Sequence, residues 1–311
     1  MEAIIAIDIG GTQLRVAAYP IDGTKPLQQK RIATRGKGSS SLDRLLDLVA
    51  EVWPADGQVR AIGAGLPGPI NPKTGVLFNA PNIPGWVNLP IRQHLQDRFQ
   101  VPVLVGNDAN LAALGEWRFG AGRGHHDLLY LTISTGIGGG VIMEDRLLLG
   151  DRGLAAELGH VTVQPDGPLC GCGKRGHLEA YASGTAIARY VSEQIAKGVP
   201  SRLSSTPNIT AREVSQAAQE GDALARESIT RAGTYLGIGL ANFLHIFNPS
   251  RVILGGGVSR IGPMLLDPMK ATLAEQVTSP EFTRSLEIVS AELGDDAGLM
   301  GALALAHTAL Y

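Results

Sequence analysis

Cysteine is nearly absent from this sequence: Cys170 and Cys172 are the only two in 311 residues, and their C-x-C spacing is too close for an ordinary structural disulfide. The two thiols need one shared explanation. Concentrated positive charge is missing as well. With a net charge of −2 and Lys/Arg clusters no longer than isolated pairs, the chain has no field to hold a phosphate backbone, so nucleic acid is not an expected partner. No apolar run reaches the length of a membrane span, and the amino terminus enters Glu2-Ala3-Ile4-Ile5-Ala6-Ile7-Asp8 without a basic region or a cleavage signature. A soluble, cytoplasmic protein with no membrane partner is expected. A Walker A motif is also lacking. The dinucleotide-binding pattern fails too, because Val141 and Ile142 continue a strand where that motif requires a helix to begin.

Glycine, by contrast, is abundant: 40 residues, well above the usual ~7%. Several are clustered in turns that follow strands. Residues 2–9, 13–20 and 26–33 read as a β-meander, followed by a helix over 42–52, a strand over 59–66, a helix over 90–98 and a strand over 101–105. Asn107-Asp108-Ala109-Asn110 then opens a helix over 109–117, with Asp108 placed to cap it. From 128 the pattern starts again, with strands 128–134 and 139–143 around Ser134-Thr135-Gly136-Ile137-Gly138. Helices are expected near 177–197, 210–219, 222–246, 261–276 and 297–309, and strands over 251–254 and 286–290. Pro200 and Pro207 mark a flexible insertion. Each half thus opens with a strand, a Gly/Thr turn and a second strand, which predicts a duplicated α/β architecture. No low-complexity linker separates the halves, so two apposed lobes with a cleft are expected.

The glycine turns point to an anion. Gly10-Gly11-Thr12 can aim backbone N–H groups and a hydroxyl at phosphate, while Asp8 beside them suits Mg²⁺ held through water. Thr135, Gly136, Gly138 and Gly139 offer a second nest, and Gly255, Gly256 and Gly257 admit an adenosine moiety. Taken in order, Asp8-Ile9-Gly10-Gly11-Thr12, Gly106-Asn107-Asp108-Ala109-Asn110, Thr135-Gly136-Ile137-Gly138-Gly139-Gly140, Glu157-Leu158-Gly159-His160 and Cys170-Gly171-Cys172-Gly173 resemble the ROK family across essentially the whole chain. That family includes bacterial glucokinases, fructokinases and N-acetylhexosamine kinases, together with sugar-responsive repressors that carry an added amino-terminal helix-turn-helix. No such extension is expected here.

The resemblance implies an actin/hexokinase-like (ribonuclease H-like) fold, with residues 1–107 plus 297–311 in a small lobe and 108–296 in a large one. It also implies an ATP-dependent hexose kinase acting on glucose, assembled as a homodimer or homotetramer. Asp108 would take the proton of the attacking hydroxyl, since phosphorylating an alcohol needs a placed base. Gly68, Asn82, Asn107, Asp108, Glu157, His160 and Glu179 would hold the sugar. Fructose, mannose and N-acetyl sugars are the alternative acceptors, polyphosphate is the alternative donor, and a sugar-sensing protein without turnover is the alternative class. ROK proteins usually bind structural zinc with one histidine and three cysteines. Here His177 stands where the third cysteine would be, so the implied site becomes His160, Cys170, Cys172 and His177, still four nitrogen or sulfur donors.

Overall fold

The structure is a computed structural model and describes residues 1–36, 38–80 and 82–310. It alternates strands and helices along its length. The chain opens with β1 (Glu2–Ile9), β2 (Gln13–Pro20) and β3 (Gln28–Ala33), then α1 (Ser41–Glu51), β4 (Gln58–Leu66), β5 (Ile70–Asn71), β6 (Val76–Asn79), β7 (Val87–Leu89), α2 (Ile91–Phe99), β8 (Val103–Asn107) and α3 (Asp108–Phe119). It continues through β9 (Leu128–Ile133), β10 (Ile137–Met143), β11 (Arg146–Leu147), α4 (Glu179–Ala182), α5 (Gly184–Ala196), α6 (Ala211–Gln219) and α7 (Ala223–Phe247). The chain closes with β12 (Arg251–Gly255), α8 (Pro263–Gln276), α9 (Glu281–Arg284), β13 (Glu287–Ser290) and α10 (Ala297–His307). Among the described residues, no helix is long and apolar enough to cross a membrane.

The expected duplication is visible in the sheets. One has the order β3-β2-β1-β4-β8 and the other β11-β10-β9-β12-β13, so each sets a hairpin beside two parallel strands. In the first, β1 runs antiparallel to β2 and parallel to β4, which is parallel to β8; in the second, β12 is parallel to both β9 and β13. Strands buried on both faces need near-continuous apolar runs, and Ala3 to Ile7 are fully buried. One core packs Ile5, Ile7 and Ile9 of β1 with Leu45, Leu48 and Val49 of α1 and Ile91 and Leu95 of α2. The helix α10 is apolar nearly all round, with Leu299, Gly301, Ala302, Leu303 and Ala306 buried, as a helix enclosed by its neighbours must be.

Three features differ from the sequence reading. The strands β5, β6 and β7 form a small antiparallel sheet of their own, in a Pro/Gly/Asn-rich stretch too short for period-two alternation to register. The single helix expected near 177–197 is broken at Ser183, whose hydroxyl caps α5 by accepting from the Ala186 N–H. The insertion around residues 200–207 is pinned in place. Asp222, almost wholly buried, accepts there from the Ser201 hydroxyl at 2.9 Å and the Arg202 N–H at 2.6 Å while also capping α7 through Ala225 N–H.

The chain divides into two compact units. One comprises Met1–His125, Gly140–Ala156 and Ala291–Tyr311, and the other His126–Gly139 and Glu157–Ser290.

Candidate active site

In the first unit, the β1–β2 hairpin closes through the Gly10 N–H, which donates to Gln13 O at 2.8 Å. That donor is therefore spent on the turn. Asp8 is held by Arg15, its partner across the hairpin: Nε donates to Asp8 Oδ2 at 2.9 Å and Nη2 reaches the same oxygen. Asp8 therefore carries a structural ion pair that the sequence reading did not foresee.

Strand β8 delivers Asn107 and Asp108 to its carboxyl end, where α3 begins. The helix cap is Asn107, not Asp108: Asn107 Oδ1 accepts from the Ala109 and Asn110 N–H groups at 3.0 and 3.2 Å. Asp108 is the first helical residue, half-buried, with Oδ1 sharing the Ala109 N–H at 2.8 Å. An acid in the first turn suits the helix dipole. Asn107 Nδ2 donates to Gly68 O at 3.3 Å, which ties the Gly68 loop to the same strand end and leaves one amide hydrogen for a ligand. Asn82 lies in the exposed loop between β6 and β7.

In the second unit, the turn after β9 is narrower than expected. Gly138 and Gly139 lie within β10, Gly138 half-buried and Gly139 buried against Leu158. Thr135 and Gly136 remain at the turn, because the Ile137 N–H donates to Glu179 Oε2 at 3.0 Å. Gly255 ends β12 in the interior. Gly256 adopts φ +82°, with Ile133 O so close that any side chain would clash, and only Gly257 is exposed.

Gly257 lines a cavity of about 990 Å³ with Thr135, Thr185, Thr210, Arg212 and Arg260, among others. That size is at the top of the range for a small-molecule or cofactor site. The sequence reading missed the contribution of α6. Thr210 forms a capping box with Glu213, a legible helix start, but polar residues on an exposed helix face carry no ligand signature.

Glu179 joins two parts of the second unit. Its Oε2 receives the Ile137 N–H and its Oε1 receives the Cys170 thiol at 3.2 Å. Beyond it, the donor atoms of His160, Cys170, Cys172 and His177 lie within 4.8 Å of one another. The loop that presents them is knotted by backbone bonds, Cys170 N to Lys174 O at 2.8 Å and Gly173 N to Cys170 O at 2.9 Å, and a bridge pairs Thr162 with His177. His160 Nδ1 is 3.7 Å from Cys170 Sγ, and His177 Nδ1 is 3.2 Å from Cys172 Sγ. The Nε2 of His160 faces Glu157, 3.9 Å away. Burial, followed by the Glu179 carboxylate, pushes the Cys170 thiol up to about 12, while burial and the neighbouring His160 hold His177 toward its neutral form. A neutral imidazole is ready to ligate a metal, and a thiol so placed ionises only beside a cation. The group is one that could bind a metal.

Of the expected sugar residues, Gly68, Asn82, Asn107 and Asp108 thus belong to the first unit and Glu157, His160 and Glu179 to the second.

Comparison with known proteins matches a model described as the ROK family to residues 4–309. The glucokinase of Thermotoga maritima is 39% identical over 309 residues, spanning 97% of this chain and 96% of its own. The crystal structure of a ROK family glucokinase from Streptomyces griseus in complex with glucose and AMPPNP is 38% identical, with a TM-score of 0.81 over 98% of this chain and 99% of that one. Similarity extends to the xylose repressor of Caldicellulosiruptor bescii, 33% identical over 97% of this chain and 77% of the repressor.

Proposed function

The chain belongs to the ROK family, and from that premise we propose that it is a hexose kinase that transfers the γ-phosphoryl group of ATP to glucose, giving glucose 6-phosphate and ADP. The observation that carries the reading is the end of β8, where Asn107 caps α3 and the half-buried carboxylate of Asp108 is set beside it as the first helical residue. Asp108 accepts the proton of the hexose hydroxyl as that oxygen attacks the γ-phosphorus, and the bond to the bridging oxygen of ADP breaks. Little covalent chemistry falls to the protein. The Gly11-Thr12 and Thr135-Gly136 turns supply fixed N–H dipoles for the phosphates, and positioning provides most of the rate. Asp8, with Oδ2 committed to Arg15, offers Oδ1 to a water of the magnesium that travels with ATP as part of the substrate. The cavity lined by Gly257 and α6 takes the adenosine.

Asn82, Asn107 and Gly68 in the first unit and Glu157, His160 and Glu179 in the second hold the sugar hydroxyls. His160, Cys170, Cys172 and His177 would hold zinc, and the Nε2 of His160 faces Glu157. When bound, that metal supplies no chemistry to the transfer; it fixes the loop that presents Glu157 and Glu179.

A panel of hexoses assayed with ATP, reading kcat/KM for each, tests the proposal. Glucose should lead fructose, mannose and the N-acetyl sugars by at least about tenfold, the discrimination a few pocket contacts achieve. Turnover of an N-acetyl sugar ahead of glucose would replace the substrate, and hexose binding with no turnover at all would place the chain with the sensing members of its family.

A further inference from the structure

The segment that follows β3 is gripped from three sides. Arg44 of α1 donates through Nε and Nη2 to Ala33 O, at 3.2 and 2.9 Å. Thr34 is fully buried; its N–H donates to Thr12 O at 2.9 Å and its hydroxyl to Gly10 O at 2.6 Å. Arg35 reaches the other way, Nη2 donating to Asn82 O at 2.9 Å. The two loops it joins also touch, since a Cβ placed on Gly11 would lie 2.5 Å from the Cβ of Asn82. One short stretch of backbone, anchored to a capped helix, therefore holds both the phosphate hairpin and the Asn82 loop.

We propose that Thr34 and Arg35 are positioning residues that lock the phosphate hairpin and the Asn82 loop together, so that one brace sets the hexose contact and the phosphate contact. The inference rests on the kinase reading above, in which neither residue touches a substrate. Its physical basis is that phosphoryl transfer depends on placement: a displacement of about 1 Å at a reacting group costs on the order of 10² in rate. The two bonds differ in what replaces them when lost. Water reaches Arg35, so its loss frees only the Asn82 loop, whereas the buried Thr34 hydroxyl has no substitute and its loss loosens the hairpin against which that loop rests.

The test uses the full chain carrying Arg35→Ala, Arg35→Lys, Thr34→Val and the Arg35→Ala/Thr34→Val pair, with KM for glucose and for ATP measured separately from kcat. Arg35→Ala should raise the glucose KM roughly tenfold and leave the ATP KM within about twofold, with Arg35→Lys recovering part of the loss. Thr34→Val should raise both KM values, and the pair should fall short of the product of the single effects on the glucose KM, as expected of residues serving one loop assembly. Lost stability alone lowers the active fraction, and with it apparent kcat, without moving KM; urea unfolding midpoints identify that case. An unchanged glucose KM in Arg35→Ala, a rise confined to the ATP KM, or fully multiplicative effects in the pair would each overturn the brace. Should the wild type bind glucose without phosphorylating it, the kinase reading fails on its own, and calorimetric glucose affinities of the same variants decide the brace by the same criteria. A wild type that binds no glucose overturns both.

Discussion

Asp108, the proposed base, sits beside Asn107, the residue that caps its helix. Because Asn107 supplies the cap, Asp108→Asn should leave α3 intact and glucose affinity nearly unchanged, while kcat falls by the ~10²–10⁴-fold typical of a lost general base. Calorimetry and steady-state kinetics on that variant check both halves, and near-normal kcat would remove Asp108 from the base role. Asn107→Ala should behave in the opposite sense, costing about 1 kcal/mol in urea unfolding through the lost cap. The proposed metal ligands make a third case. Elemental analysis of protein purified without added metal should find about one zinc per chain. Cys170→Ser should lose metal and glucose affinity together, and His177→Cys should keep both, since either donor satisfies tetrahedral zinc. A metal-free wild type with full activity would contradict the assignment. The grouping of His160, Cys170, Cys172 and His177 was legible through the family resemblance, which supplied four positions whose donor atoms the fold brings within 4.8 Å of one another. The capping role of Asn107 was not, since Asn and Asp cap equally well and only the strand end decides between them.

Among the elements, α10 and the start of α7 carry the clearest demands. Gly301 of α10 faces the Leu111 carbonyl of α3 so closely that a methyl group has no room. Gly301→Ala should therefore destabilise the fold by roughly 1–3 kcal/mol through forced separation of the two helices, read as a lower urea midpoint. An unchanged midpoint would mean that the helices part without cost. At α7, burial alone would raise the pKa of Asp222, but the Ala225 and Arg202 N–H groups and the Ser201 hydroxyl hold it below the usual range. A carboxyl depressed in the folded state stabilises above its unfolded value near ~3.9, and that contribution disappears as pH falls through the folded value. The stability gap between wild type and Asp222→Asn should therefore be widest near neutral pH and close progressively below about pH 4; a gap independent of pH would refute the linkage. Most of these elements were readable from periodicity, among them β1, β2 and α6. The strands β5 to β7 escaped because two to four residues are too few for alternation to show, and the order of residues 200–207 escaped because it depends on Asp222, some twenty residues downstream in the chain.

For the molecule as a whole, the repeated sheet order explains why the sequence shows two glycine turns, one after β1 and one after β9: each half of a duplicated fold contributes the same hairpin. That repetition was visible as a Gly/Thr turn between strands in each half. The cavity beside Gly257 was only half visible, because the Gly255-Gly256-Gly257 run stands out in the sequence whereas Thr210, Arg212 and Arg260 are ordinary surface residues until the fold gathers them. The central claim is that ATP and hexose are consumed together in one transfer. Its most direct measurement incubates the protein with glucose and ATP labelled in the γ-phosphoryl oxygens, and follows sugar phosphate and ADP by mass spectrometry. Labelled glucose 6-phosphate should appear one for one with ADP, whereas ADP formed without sugar phosphate, or glucose bound with no ADP formed, would contradict it.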